Sequence, residues 1–222
     1  MNSGHANRAA LRLILWSVAG LAGLFLAAWV GSVLGALILS FHKIFIVLWA
    51  VFLMAILYLS RDPDPVEPGD LKAVVSPAHG RVETIEDTVE NVFMSGACQR
   101  ISILVAWTDV QVQNAPAAGT VARCEHRPAA SVDGIAQPES LWIGLDVVSQ
   151  PDTKMAVRLV AGTWGRRILP WVRSGDVVAR GARLGMMRPA GRVELFLPAA
   201  LKLLVHPGDE VTGGQSVVAK FE

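Results

Sequence analysis

Charged side chains are missing from the first part of the chain and mixed evenly into the rest. None falls between Leu13 and Phe41, a run of 29 residues, and after His42 and Lys43 a second uncharged run, Ile44 to Ser60, covers 17. As helices at about 1.5 Å per residue these runs would reach about 43 Å and 26 Å, against a hydrocarbon core of roughly 30 Å. The pattern predicts two helices over residues 1–60, forming a membrane-embedded hairpin that turns either at His42-Lys43 or near Gly31–Gly35. The first run is too long for the apolar stretch of a cleaved secretory signal. No small-residue cleavage site follows it, and the second run comes at once.

Arg61-Asp-Pro-Asp-Pro-Val-Glu-Pro-Gly-Asp70 ends the helical pattern, because its prolines cannot continue a helix. Residues 61–72 therefore read as a linker, and residues 73–222 as a separate domain. There the period shortens to two. Ala73–Val75, Ile101–Ala106, Val110–Val112 and Val193–Leu197 are β-branched or apolar runs bounded by Gly, Pro, Asn or Asp. The only stretch with any helical character is Pro198–Leu204.

An internal repeat organises this domain. Val172-Arg-Ser-Gly-Asp-Val-Val-Ala-Arg-Gly-Ala-Arg-Leu184 returns 33 positions later as Val205-His-Pro-Gly-Asp-Glu-Val-Thr-Gly-Gly-Gln-Ser-Val217. Each copy predicts a Gly-Asp turn, a two- or three-residue strand and a second glycine turn, with glycine supplying positive φ. Ser76-Pro-Ala-His-Gly-Arg-Val82 and Ala115-Pro-Ala-Ala-Gly-Thr-Val121 form a second matched pair. Paired short strands of this kind predict a mainly β soluble domain, a barrel-sandwich hybrid of the biotinyl/lipoyl type. A carrier role would need a modifiable lysine at a hairpin tip between the repeats. The lysine there, Lys202, sits in an apolar Ala-Leu-Lys-Leu-Leu context that argues against it.

Composition sharpens this in three places. Residues 61–222 carry 17 basic and 19 acidic side chains, which excludes the basic surface of a nucleic-acid-binding domain. Arg8 and Arg12 precede the apolar runs and Arg61 and Lys72 follow them, so the positive-inside bias places both ends on the cytoplasmic side. Cys98 and Cys124 are the only cysteines, have no metal-type spacing, and in a cytoplasmic-facing domain read as free thiols. His79, His126 and His206 show no ligand motif. Trp107, Trp142, Trp164 and Trp171 are core and sheet residues or, for one or two, side chains at the bilayer interface.

Five segments, in order, follow one set of motifs. Arg61-Asp62-Pro63 after a hydrophobic segment matches R-D-P, and Ser76–Val82 is similar to S-P-A-D-G-x-V. Asp109-Val-Gln-Val-Gln-Asn-Ala-Pro116 is similar to D-V-H-V-N-R-A-P. Ala161-Gly162, Arg166-Arg167-Ile168 and Trp171-Val172 are similar to I-A-G-x-x-A-R-R-I-x-x-W-V. Met187-Arg-Pro-Ala-Gly-Arg-Val-Glu-Leu-Phe-Leu-Pro198 is similar to I-R-F-G-S-R-V-D-V-Y-L-P. Together these segments resemble the short bacterial phosphatidylserine decarboxylases.

The resemblance implies a demanding chemistry. In that family the precursor cuts its own backbone between Gly and Ser: the serine hydroxyl attacks the preceding carbonyl, and the ester eliminates to leave a pyruvoyl group. That ketone forms a Schiff base with phosphatidylserine and takes up electrons as CO₂ leaves. The parts needed are a nucleophile, a base and an orienting acid. This chain departs from the family at all three. Gly191 stands at the serine position with Ala190 before it, Gln111 at the histidine position and His79 at the aspartate position. Gln113 and Asn114 replace the N-R of the substrate-side motif, which removes a cation. Glycine has no oxygen to form an ester, and glutamine does not titrate. Ser95, Ser102, Ser174 and Ser216 lie outside the cleavage-loop context, and Met186-Met187 before it reads as core filler.

The expectation is a membrane-anchored member without self-cleavage, without a pyruvoyl or any other cofactor, and without a metal. It would bind membrane phospholipid, or act as an accessory subunit in a homo- or hetero-oligomer with a membrane protein or an authentic decarboxylase, at the cytoplasmic face of a bacterial inner membrane. The alternatives are an active phospholipid decarboxylase with divergent residues, and a structural membrane adaptor.

Overall fold

The computed structural model describes residues 4–221 apart from 60, 62–63, 67, 71, 92, 133–134, 151–152, 163–166 and 189. Asp62-Pro63, Trp164 and Arg166 of the quoted motifs thus lie outside the described residues. By contacts the chain divides at Ile56/Leu57 into two units, the second holding the last helical turn with the β domain.

The first unit corrects the hairpin expectation. A single helix, α1, runs from Gly4 to Leu59 through both Gly31–Gly35 and His42-Lys43. No proline lies before Pro63, and an isolated glycine in a helix costs only about 1 kcal/mol relative to alanine. Nothing local therefore forces a turn. Leu15–Tyr58 is apolar enough to cross a membrane.

In chain order the strands are β1 (Ala73–Val75), β2 (Gly80–Glu90), β3 (Gly96–Val105), β4 (Val112–Asn114), β5 (Gly119–Arg127), β6 (Ala130–Val132), β7 (Ile135–Gln137) and β8 (Ser140–Val147), followed by β9 (Lys154–Ala161), β10 (Arg167–Pro170), β11 (Val177–Val178), β12 (Arg183–Arg188), β13 (Gly191–Pro198), β14 (Lys202–Leu203), β15 (Glu210–Val211) and β16 (Val217–Lys220). Residues 198–204, the expected helical stretch, hold the end of β13, a turn over 199–201 and β14.

The repeat becomes a two-fold arrangement of these strands. The large sheet has the order β11-β5-β8-β9-β13-β3-β2-β15, and two small sheets have the orders β10-β12-β4 and β14-β16-β1. Exchanging β1 with β4, β2 with β5, β3 with β8, β13 with β9, β14 with β10, β15 with β11 and β16 with β12 reproduces the same pairings. The matched turns explain why. Gly175, Gly181, Gly208 and Gly214 all have positive φ, at equivalent places in the two copies. Gly80 and Gly119 open β2 and β5, where a Cβ would strike Leu104 O and Asp146 O respectively.

Ile101, Ile103, Leu141, Ile143, Leu145, Leu159, Leu195 and Leu197 are fully buried between these layers. A smaller cluster of Cys98, Trp142, Ala156 and Phe196 is capped by Phe93 and Met94. Gly144 allows this cap, since a Cβ there would lie 2.8 Å from the Phe93 ring. Beside it a charged ladder crosses four strands: Glu86–Arg100 at 2.6 Å, Arg100–Glu194 at 3.8 Å and Arg158–Glu194 at 3.3 Å.

The linker is bound to the β domain rather than loose. Arg180 donates to the carbonyls of Pro68, Asp70 and Ala73, Arg183 meets Asp64, and Lys220 meets Asp70. The Lys220 hydrogen bond, and then the Lys72 main-chain N–H, hold the Asp70 carboxyl below its ordinary range. A carboxylate lowered in this way supports the fold above its unfolded pKa and loses that contribution only as pH falls through the lower folded value. Amide exchange of Lys72 and Ala73, which donate to Asp70, should therefore stay slow through the ordinary carboxylate range and quicken only below it.

Both cysteines are free thiols, and burial pushes both pKa values up. Their thiolate fraction at neutral pH is correspondingly small. Alkylation of the folded chain should be slow, rising with pH or on unfolding; rapid labelling of either thiol at neutral pH would contradict the packing.

Candidate functional site

Two of the family's reactive positions, those of the histidine and the serine, meet where β13 begins. Ahead of it, a turn from Ala106 to Asp109 is closed by Asp109, whose carboxylate accepts from Ala106 N at 2.7 Å. Gln111 follows, 5% exposed. Its Nε2 donates to Ala106 O at 2.8 Å and to Asp109 O at 2.9 Å. Its Oε1 accepts from Ala190 N at 3.0 Å, and its own carbonyl accepts from Met187 N at 3.0 Å. Both amide protons are thus committed to the main chain, and the residue fastens the 187–190 segment to the turn. At the place where the family has a base, this chain has a staple.

Ala190 takes φ +89, a conformation that suits the family's glycine better than alanine. Its carbonyl accepts from Gly162 N at 3.2 Å. Gly191 is the first residue of β13, paired with Val105 on one side and Ala161 on the other. A Cβ on Gly191 would run into Val160 O and lie 2.6 Å from Met187 Sδ and 2.9 Å from its Cε. The pyruvoyl group that the resemblance implies does not fit here. Residue 191 lacks the oxygen from which it is made, and the space a side chain would need is filled.

The remaining positions lie along β4 and the turn before β2. Gln113 is fully buried; its Nε2 donates to Gln111 O at 2.9 Å, while its Oε1 has no hydrogen-bond partner among the described residues. Asn114 donates through Nδ2 to Gly181 O at 2.9 Å and through its main chain to Pro77 O at 2.8 Å. His79 and Asn114 flank Gly213, where a Cβ would lie 3.0 Å from His79 Cδ2 and 2.9 Å from Asn114 Oδ1. The fold therefore joins Gln111 with Ala190 and Gly191, and His79 with Asn114. Gln113 lies between the two groups.

His79 also lines a cleft of about 620 Å³ with Arg61, Arg81, Leu104, Asp109 and Glu210. His126 instead pairs with Glu139 at 2.7 Å, and His206 lies 3.8 Å from Asp209, so the three histidines stand in separate places. Among the described residues no group of three metal-ligating side chains is assembled.

The serines serve structure. Ser174 Oγ accepts from Cys124 N and Ser216 Oγ from Thr212 N; Ser102 is buried in β3, and Ser95 has φ +54 in the β2–β3 turn. Sequence reasoning missed Gly162, which holds the Ala190 carbonyl; its place in the quoted Ala161-Gly162 motif is the available signal. Met187, read as core filler, is fully buried and fills the side-chain space at residue 191, a contact that nothing in the sequence marks.

Comparison with known proteins agrees with the quoted motifs. The phosphatidylserine decarboxylase family model matches residues 52–219. The phosphatidylserine decarboxylase proenzyme of Desulfotalea psychrophila is 34% identical over 183 residues, 79% of this chain and 85% of that protein. The proenzyme of Pelobacter propionicus is 31% identical over 211 residues, 92% of this chain and 93% of that protein. That of Symbiobacterium thermophilum is 34% identical over 171 residues, covering 75% and 79%. No solved structure matches the chain. With the family model spanning most of its length and full-length relatives above 30% identity, this chain belongs to the phosphatidylserine decarboxylase family.

Proposed function

We propose that this member of the family does not cut itself, carries no pyruvoyl group, and works at the membrane as a lipid-binding or accessory subunit. The observation that carries the reading is the packing around residue 191, where Val160 O and Met187 occupy the place of a side chain while the Gln111 amide locks the preceding residue. A non-titrating amide cannot take the proton of a nucleophile. The rest of the family scaffold is retained, which favours a role that uses its surface and its cleft. An authentic decarboxylase is a natural partner, since related subunits share compatible interfaces.

The apolar stretch Leu15–Tyr58 supports a membrane anchor. We infer that the membrane is a bacterial inner membrane with the β domain at its cytoplasmic face, where the positive-inside bias places Arg61 and Lys72 after the apolar stretch.

The catalytic arm of the proposal is tested by turnover. The purified full chain, reconstituted with phosphatidylserine, should release no CO₂ and form no phosphatidylethanolamine. Product above a no-protein control would instead support an active decarboxylase with divergent residues.

A further inference from the structure

Trp107 stands 56% exposed at the tip of the β3–β4 turn, with Leu104 beside it at 48%. Packing within the β domain does not require an indole there. What the turn touches gives it a context. Arg61 Nη2 donates to Thr108 O at 3.0 Å, and the Arg61 guanidinium lies over the Tyr58 ring, 4.1 Å from its centroid. Tyr58 is the last residue of the apolar stretch and is 57% exposed. One guanidinium therefore joins Tyr58 to the Thr108-Asp109 peptide, next to Trp107. An exposed indole, a phenol and a cation at the end of an apolar segment are the residues that settle at a bilayer–water interface.

The turn is also rigid. Asp109 closes it and Gln111 fastens its base, so Trp107 is presented without a large ordering cost. Leu104, Ala106 and Asp109 of the same segment form part of the wall of the cleft that Arg61, His79 and Arg81 line.

We propose that the segment Leu104–Asp109 is a second membrane contact, with Trp107 seated in the headgroup layer of a phospholipid bilayer. The inference rests on the reading of Leu15–Tyr58 as an anchor, and the test keeps the two apart. The full chain with Cys98 and Cys124 replaced is reconstituted into vesicles of phosphatidylethanolamine and phosphatidylglycerol. A nitroxide is then placed in turn at Thr108→Cys, at Ala27→Cys within the apolar stretch, and at Val177→Cys on an exposed strand of the β domain. Collision with oxygen and with a water-soluble nickel chelate reads the depth of each label.

Position 27 should be oxygen-rich and closed to the chelate, and position 177 open to it. Position 108 should be sheltered from the chelate relative to 177, with the shelter lost when Trp107→Ala is added. If position 27 is in lipid while 108 behaves like 177, the second contact is wrong and the anchor stands. Shelter at 108 that survives Trp107→Ala also overturns the role given to the indole. If position 27 is open to the chelate, the anchor reading fails, and this inference fails with it.

Discussion

Substituting serine for Gly191 is expected to destabilise the protein and leave it uncut. The naive expectation is the opposite, because serine is the residue the family uses at this position. Residue 191 is held on both sides by ladder pairing, to Val105 and to Ala161, so its Cα cannot move far. A Cβ placed on it meets Val160 O, a main-chain atom that can yield only if β9 shifts, and Met187 Sδ at 2.6 Å. Overpacking of this kind typically costs 1–3 kcal/mol, and the main-chain collision places Gly191→Ser near the upper end, about 3 kcal/mol. Adding Met187→Ala relieves the sulfur contact but not the carbonyl. The new hydroxyl would also find no base, since the Gln111 amide is engaged with Ala106, Asp109 and Ala190. Urea denaturation should show the loss in midpoint, and electrophoresis should show one band. Efficient cleavage of Gly191→Ser would mean that the loop opens readily, contrary to the packing described.

Removing residues 1–56 should move the protein from the membrane to the soluble fraction. The division between units falls at Ile56/Leu57, so the truncation leaves the β domain and its bound linker complete. The segment removed contains nearly all of Leu15–Tyr58, whose exposed side chains include Leu24, Phe25, Trp29, Phe45, Trp49 and Phe52. At about 25 cal/mol per Å² of apolar surface, burying these side chains in a bilayer would hold the chain firmly, so their removal should release it. Residues 57–222 should still associate weakly with vesicles through the Leu104–Asp109 turn, and Trp107→Ala should remove that residue of binding. Sedimentation with vesicles measures both. A truncated chain that still pellets quantitatively with membranes would show that the anchor lies elsewhere.

The sequence made the β domain legible to the extent that its turns carried it. The Gly-Asp repeats at Val172 and Val205 and the matched turns at Ser76 and Ala115 predicted paired short strands, and those glycines now sit at equivalent places of a two-fold sheet. Ala73–Val75 and Val193–Leu197 were readable as strands because their residues are buried on that fold. Val110–Val112 was only partly so, since Gln111 belongs to the turn that fastens residue 190 and the strand starts at Val112. The hairpin over residues 1–60 was inferred from the lengths of two apolar runs in a bilayer. The helix shows no turn because neither lone glycines nor His42-Lys43 break local hydrogen bonding.

At the site, sequence revealed which residues had changed but not what replaced their function. Gln111 as a staple, Met187 as the filler of the side-chain space and Gly162 as the donor to the Ala190 carbonyl are contacts between segments far apart in the chain. The clamp of Arg180 on the linker is likewise a long-range contact that no local pattern encodes.

The central claim is that the backbone between Ala190 and Gly191 stays intact. The intact mass of the purified full chain tests it most directly. One species near 23.8 kDa is predicted. Two polypeptides, residues 1–190 and residues 191–222, would contradict it.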